Sequence, residues 1–198
     1  MIISLNFNSL PSEQFFADRP ILIDLSVPIA NRMISLPMTL DRTRSAVMFA
    51  ELSAKHAEPW QAAAYLRAAL SEFCSMGEIQ KFDKPGAVHF ELRSSDNPLL
   101  HLLALARHLN IHVKSVKAKR ETVSASLDNR PFDLDVFIMT DFNADDLSRL
   151  YNGKHYLLTD LQQVVTWFSA SQMHWGAGYL IRIGVEIFAN KLCDHYGL

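Results

Sequence analysis

The sequence predicts a mainly α protein: a helical bundle with an inserted β-hairpin, preceded by an irregular or short-strand N-terminal segment. Three observations carry that expectation. Apolar residues recur at helical spacing across 62–76 and again across 99–106. Two alternating runs, 121–127 and 132–139, flank the turn sequence Asp128-Asn129-Arg130-Pro131. Prolines at 11, 20, 28 and 37 interrupt the first forty residues.

Taken in order, residues 1–40 read as an extension with short strands at 2–7 and 20–25. A first helix is expected over 42–55. The second opens at Glu58-Pro59-Trp60, because proline suits the first helical turn. It carries Ala62, Ala63, Leu66, Ala69, Leu70, Phe73 and Met76 on one face and ends near Gln80. The third starts at Ser95-Asp96-Asn97-Pro98, where short polar side chains can cap free backbone N–H groups. Leu99, Leu102, Leu103 and Ala106 form its buried stripe, and it is expected to reach about residue 113.

The hairpin is expected over 116–140, with Phe132, Leu134, Val136 and Ile138 on one face. A short helix capped by Asn143 (144–151) follows, then a turn at Asn152-Gly153. Thr159-Asp160 reads as the cap of the next helix. Gly176 and Gly178 read as a break before a last helix over 179–195. The whole is expected to be one domain, 1–198, with its helical core at 41–114 and 143–198.

Bulk properties narrow the function classes. The chain has 198 residues, 49% hydrophobic and 20% charged, with a net charge of -2. That composition supports a packed core and excludes a polycation, so any nucleic-acid contact needs a local patch. Cys74 and Cys193 sit in apolar helical patterns and read as buried free thiols of a reducing compartment. The start of the sequence has no basic n-region. The longest apolar stretch, 175–193, carries Arg182, Glu186, Asn190 and Lys191, so it reads as a buried helix. A cytoplasmic protein without membrane contact is the expectation.

One segment is chemically loaded. Residues 107–120, RHLNIHVKSVKAKR, hold Arg107, His108, His112, Lys114, Lys117, Lys119 and Arg120 and no acidic residue. Such a stretch raises a positive potential suited to an RNA backbone or another anion. A solvated helix end, where cations complement the C-terminal dipole, explains the same residues without a ligand. At ~100° per residue, His101, His108 and His112 fall within ~40° on an unbroken helix. Metal binding by that stripe is disfavoured, because no carboxylate or thiolate joins it and its cations repel a metal; no metal or cofactor is expected. Histidines packed at a subunit interface are a further reading. General acid–base chemistry beside a phosphate is the functional one, with histidine titrating near neutrality and arginine gripping the phosphate.

Arg107-His108-Leu109-Asn110-Ile111-His112 resembles the R-x(4–6)-H motif of the HEPN superfamily, including the polar residue after the arginine. The stretches YLRAALSEFCSMGEIQK and NPLLHLLALARHLNIHV are similar to the paired central helices of bacterial HEPN proteins. The resemblance covers roughly 58–114; the hairpin and residues 1–40 depart from a minimal HEPN bundle. It implies a homodimer acting as a metal-independent endoribonuclease in a toxin–antitoxin, defence or CRISPR-linked system. Arg107 and His112 are then the catalytic pair and His108 an auxiliary contact, with RNA and an antitoxin or defence protein as partners and no DNA. The alternative is a catalytically inactive module that binds RNA, a nucleotide or a protein. A second match, Arg149 to His155, spans the Asn152-Gly153 turn and reads as a decoy.

Other residues have plainer expectations. Trp60, Trp167 and Trp175 are read as core. Glu72 is read as an exposed helical glutamate, or as one that orients a basic group across the bundle. Arg182 and Glu186, an i, i+4 pair, are expected to pair with each other if buried.

Overall fold

Two proline-started helices form the spine of the computed structural model, which describes residues 2–12, 25–55, 58–127 and 130–198. Helix α1 is Val27–Arg32. Helices α2 (Pro37–Lys55) and α3 (Pro59–Asp83) pack along each other. Small buried residues, Ala46 and Ala50 on α2 with Ala62 and Ala69 on α3, keep the facing surfaces slim. Helix α4 (Pro98–His112) leads into strands β1 (Lys117–Leu127) and β2 (Arg130–Thr140). Helices α5 (Ala144–Ser148), α6 (Leu158–Trp175) and α7 (Ala177–His195) complete the chain. The mainly α bundle with an inserted hairpin is therefore the architecture of the described residues.

The N-terminal expectation needs correction. Residues 2–6 form no strand; Ile3 N–H donates to His155 O at 2.8 Å and Asn6 N–H to Asp96 O at 2.8 Å, single bonds to two different loops. Of the second predicted strand, residues 20–24 lie outside the described residues, as do Asp128-Asn129 at the hairpin tip and the side chain of Phe132. Pro28 and Pro37 start helices instead of breaking them.

Helix α2 begins five residues before the sequence expectation, and its cap comes from across the bundle. The Asp83 carboxylate, at the end of α3, accepts from Met38 N–H at 3.0 Å, Thr39 N–H at 2.7 Å and the Thr39 hydroxyl at 2.6 Å. Those are the orphan donors that a helix start leaves free. A capping group 44 residues away leaves no local sequence pattern.

The hairpin is antiparallel, with Lys117 opposite Thr140 and Leu127 opposite Arg130, so Arg130 and Pro131 belong to β2 and not to the turn. Its root is buried on both faces: Val136, Phe137, Ile138 and Met139 are all inside, whereas Leu134 is 40% exposed. The single apolar face expected from the alternation is therefore replaced at the root by a fully enclosed strand. Gln172 of α6 holds it there, accepting from Met139 N–H at 2.8 Å and donating to Met139 O at 3.0 Å. The side-chain amide acts as a one-residue neighbouring strand.

Asn143 does cap α5, accepting from Asp146 N–H at 2.9 Å, although the helix stops at Ser148. The start of α6 at Leu158 has no side-chain cap, so Thr159 and Asp160 sit inside the first turn; Asp160 there complements the helix dipole. Gly176, at φ 78°, turns α6 into α7 with a backbone conformation that other residues rarely adopt. Two residues on, a Cβ at Gly178 would lie 2.3 Å from Ala50 O, so α7 crosses α2 in near contact.

The core is one cluster drawn from every helix and from the hairpin root, including Phe73, Leu99, Leu103, Phe168, Ile181 and Phe188. Buried Arg182 reaches Glu186 at 3.3 Å and Glu51 at 3.5 Å, which keeps the charges compensated inside the apolar α7. Trp167 and Trp175 pack on the core, but Trp60, at the start of α3, is 67% exposed. Among the described residues, no helix is long and apolar enough to cross a membrane.

Candidate functional site on helix α4

Helix α4 is seated by both ends. Asn97 Oδ1 accepts from Leu99 N–H at 3.1 Å and from Leu100 N–H at 3.4 Å, the cap that its sequence signals. At the other end Asn110 Oδ1 accepts from Val116 N–H at 2.6 Å, turning the chain toward β1. The Asn110 amide also donates to Ala106 O at 3.1 Å, and the helix stays unbroken through it. Arg107 and His112 are therefore held ~140° apart around one axis, and a single chain does not bring them together.

Each predicted residue has a distinct setting. Arg107 is half-buried, and its Nε makes no hydrogen bond among the described residues. Its charge acts on Cys74 of α3, although burial dominates there and pushes that thiol up to about 12. His112 is exposed, with its ring stacked on His108 at 6.1 Å between centroids and 16° between planes. His101, the third histidine of the stripe, is buried and bonded, and belongs to the core. Among the described residues no three His, Cys, Asp or Glu side chains group so as to hold a metal ion.

The cations that follow are paired. Lys114 meets Asp146 at 2.6 Å, Lys117 meets Asp141 at 3.1 Å, Lys119 meets Glu121 at 2.6 Å, and Arg120 meets Asp135. The carboxylates come from α5, the residue after β2, a position two residues along β1 and the facing strand. Tertiary folding thus draws down the positive field that the linear run implies. Glu72 is also engaged, held by Arg42 of α2 at 3.0 Å; its basic partner lies in the bundle and not on α4.

His108 is the junction of the site. The Asn152 side-chain amide donates to His108 Nε2 at 3.1 Å, and Asn152 Oδ1 accepts from Arg93 Nη2 at 2.8 Å. An amide N–H needs an acceptor, so neutral His108 carries its proton on Nδ1. Its pKa is lowered, first by burial and then by the charges of Arg107, His112 and Arg93; Glu78 acts weakly the other way. Arg93, Asn152 and Glu78 were not singled out from sequence. They come from three separated segments, and their nearest linear signals, a cap and a turn, describe only local backbone. Comparison of the chain with protein-family models, with curated proteins and with solved structures finds no match.

Proposed function

We propose that this chain is a HEPN-like protein that binds RNA as a homodimer, with the outer face at the end of α4 receiving the phosphate backbone. The observation that supports this reading most is the basic setting of His108: Arg107 precedes it on α4, the His112 ring stacks on it, and Arg93 reaches it through Asn152. Arg107 is half-buried in that setting with its Nε turned inside, and the outer N–H groups of its guanidinium suit a phosphate oxygen. Lys114, Lys117, Lys119 and Arg120 extend the track by exchanging carboxylate partners for phosphates. A toxin–antitoxin or defence role, with a protein partner, belongs to the same proposal.

Cleavage is the second reading. The exposure of His112 favours it: its ring makes no hydrogen bond among the described residues and is free to meet a partner protomer. With Arg107 and His112 brought together across two protomers, histidine removes the 2′-OH proton. That oxygen attacks the adjacent phosphorus and the P–O5′ bond breaks, which leaves a 2′,3′-cyclic phosphate. The departing 5′-oxygen takes up a proton from the protonated histidine, and arginine stabilises the charge on the non-bridging oxygens.

Fluorescence anisotropy with a single-stranded RNA tests binding. Affinity is expected to fall steeply as salt rises from ~50 to ~200 mM, and further in Arg107→Ala and His112→Ala. Absence of salt-dependent binding overturns the reading. Incubation of the same RNA in EDTA separates the two readings. Products with 2′,3′-cyclic phosphate ends, lost in both variants, establish cleavage; intact RNA leaves binding alone.

A further inference from the structure

Beside His108 lies an open cleft of about 310 Å³, shared by α3, α4, the 89–93 segment, the N-terminal segment and the loop that carries Asn152. That is the lower end of the range for small-molecule sites, roughly 300–1,000 Å³. Ile3, Phe90 and Leu105 supply apolar wall. The polar lining carries charges of both signs, Arg93 against Glu78 and Glu91.

Those charges are uncommitted. Among the described residues none of the three has an ion-pair partner, whereas the cations of the hairpin root all do. Arg93 spends one N–H on the neutral Asn152 amide. Its charge and that of Glu78 both act on the His108 ring. The cavity thus sets a guanidinium and a carboxylate around one imidazole, above an apolar wall.

We infer that this cavity binds a zwitterion with an apolar body, of the class of a free hydrophobic amino acid. The ligand carboxylate meets the forked donors of Arg93, a geometry that guanidinium matches well. Its ammonium faces Glu78, with Glu91 beside it, and its side chain lies against Ile3, Phe90 and Leu105. A purely anionic ligand leaves the two glutamates opposed to it, and a purely cationic one leaves Arg93 opposed. Arg93 also enters the RNA reading, but titration with amino acids tests this inference separately from RNA binding.

Calorimetric titration of the full chain with L-phenylalanine and L-leucine tests it. 3-Phenylpropanoate lacks the ammonium and phenethylamine lacks the carboxylate. Each is expected to bind at least ~10-fold more weakly than phenylalanine, the factor that ~1.4 kcal/mol produces. Arg93→Gln and Glu78→Gln replace exposed side chains, so folding is retained and is checked by thermal melt. Arg93→Gln is expected to erase the advantage of phenylalanine over phenethylamine, and Glu78→Gln its advantage over 3-phenylpropanoate. Equal binding of the single-charge analogues overturns the inference. So does tighter binding of adenosine monophosphate than of any amino acid, or no heat from either amino acid at millimolar concentration.

Discussion

His101 and Tyr156 lock α4 to the loop that carries Asn152. The Tyr156 hydroxyl lies 2.7 Å from His101 Nδ1, and His101 Nε2 lies 2.8 Å from Ser95 O. A carbonyl only accepts, so Nε2 carries the proton and Nδ1 accepts from tyrosine. Both ring nitrogens of a neutral imidazole are thereby used.

That arrangement predicts an acid-sensitive fold. Burial dominates and lowers the pKa of His101 from its ordinary 6.5; the Ser95 carbonyl and Asp96 oppose it, and Lys191 adds to it. Tyr156, pushed up to about 12 by burial, stays protonated. With the folded pKa below the unfolded one, the unfolded chain binds the proton first. The contribution of neutral His101 is therefore full above the unfolded pKa and is lost as pH falls through the folded one. Urea unfolding at a series of pH values from 7.5 down to 4.5 is expected to show falling stability below about 6.5. In His101→Gln that slope is expected to shrink by up to one proton, about 1.4 kcal/mol per pH unit. An unchanged slope in the variant contradicts the prediction.

Gly178 yields a prediction by sign. Inside a helix, glycine to alanine ordinarily stabilises by roughly 1 kcal/mol. At Gly178 the new methyl would lie 2.3 Å from Ala50 O and 2.5 Å from Ser53 Oγ. The carbonyl belongs to α2 and cannot rotate away, so the helices must separate. Gly178→Ala is expected to destabilise by about 1–3 kcal/mol, read as a lower denaturant midpoint. A higher midpoint would show that α7 and α2 are not in near contact.

Asp83 offers a third. Removing its carboxylate leaves two N–H groups and a hydroxyl at the start of α2 without their acceptors. Asp83→Ala is expected to cost about 1–2 kcal/mol, with Asp83→Asn intermediate because one oxygen remains. Faster amide hydrogen exchange should be confined to the first turn of α2. Equal stability of the alanine variant and the parent would rule out this cap.

How much of the fold was legible follows from where each signal resides. Helices α3 and α4 are readable because their apolar spacing and their caps lie within the elements themselves, as Asn97 before Pro98 shows. The hairpin is readable because alternation and a turn sequence are local. The start of α2 is not, because Asp83 supplies its cap from the far end of another helix. The enclosed root of β2 is not, because Gln172 on α6 satisfies its backbone.

The candidate site divides in the same way. By itself the sequence determined the helix, its histidine stripe and the run of cations from Lys114 to Arg120, since these are matters of spacing and composition. Only the tertiary structure decided what those groups do to one another. It placed carboxylates against the cations, buried His101 as a core residue, turned Arg107 and His112 to different sides of α4, and gathered Arg93, Asn152 and Glu78 around His108. The physical reason is range. Helix and turn preferences act over a few residues, whereas charges and hydrogen bonds act through space, wherever the packed chain sets their partners.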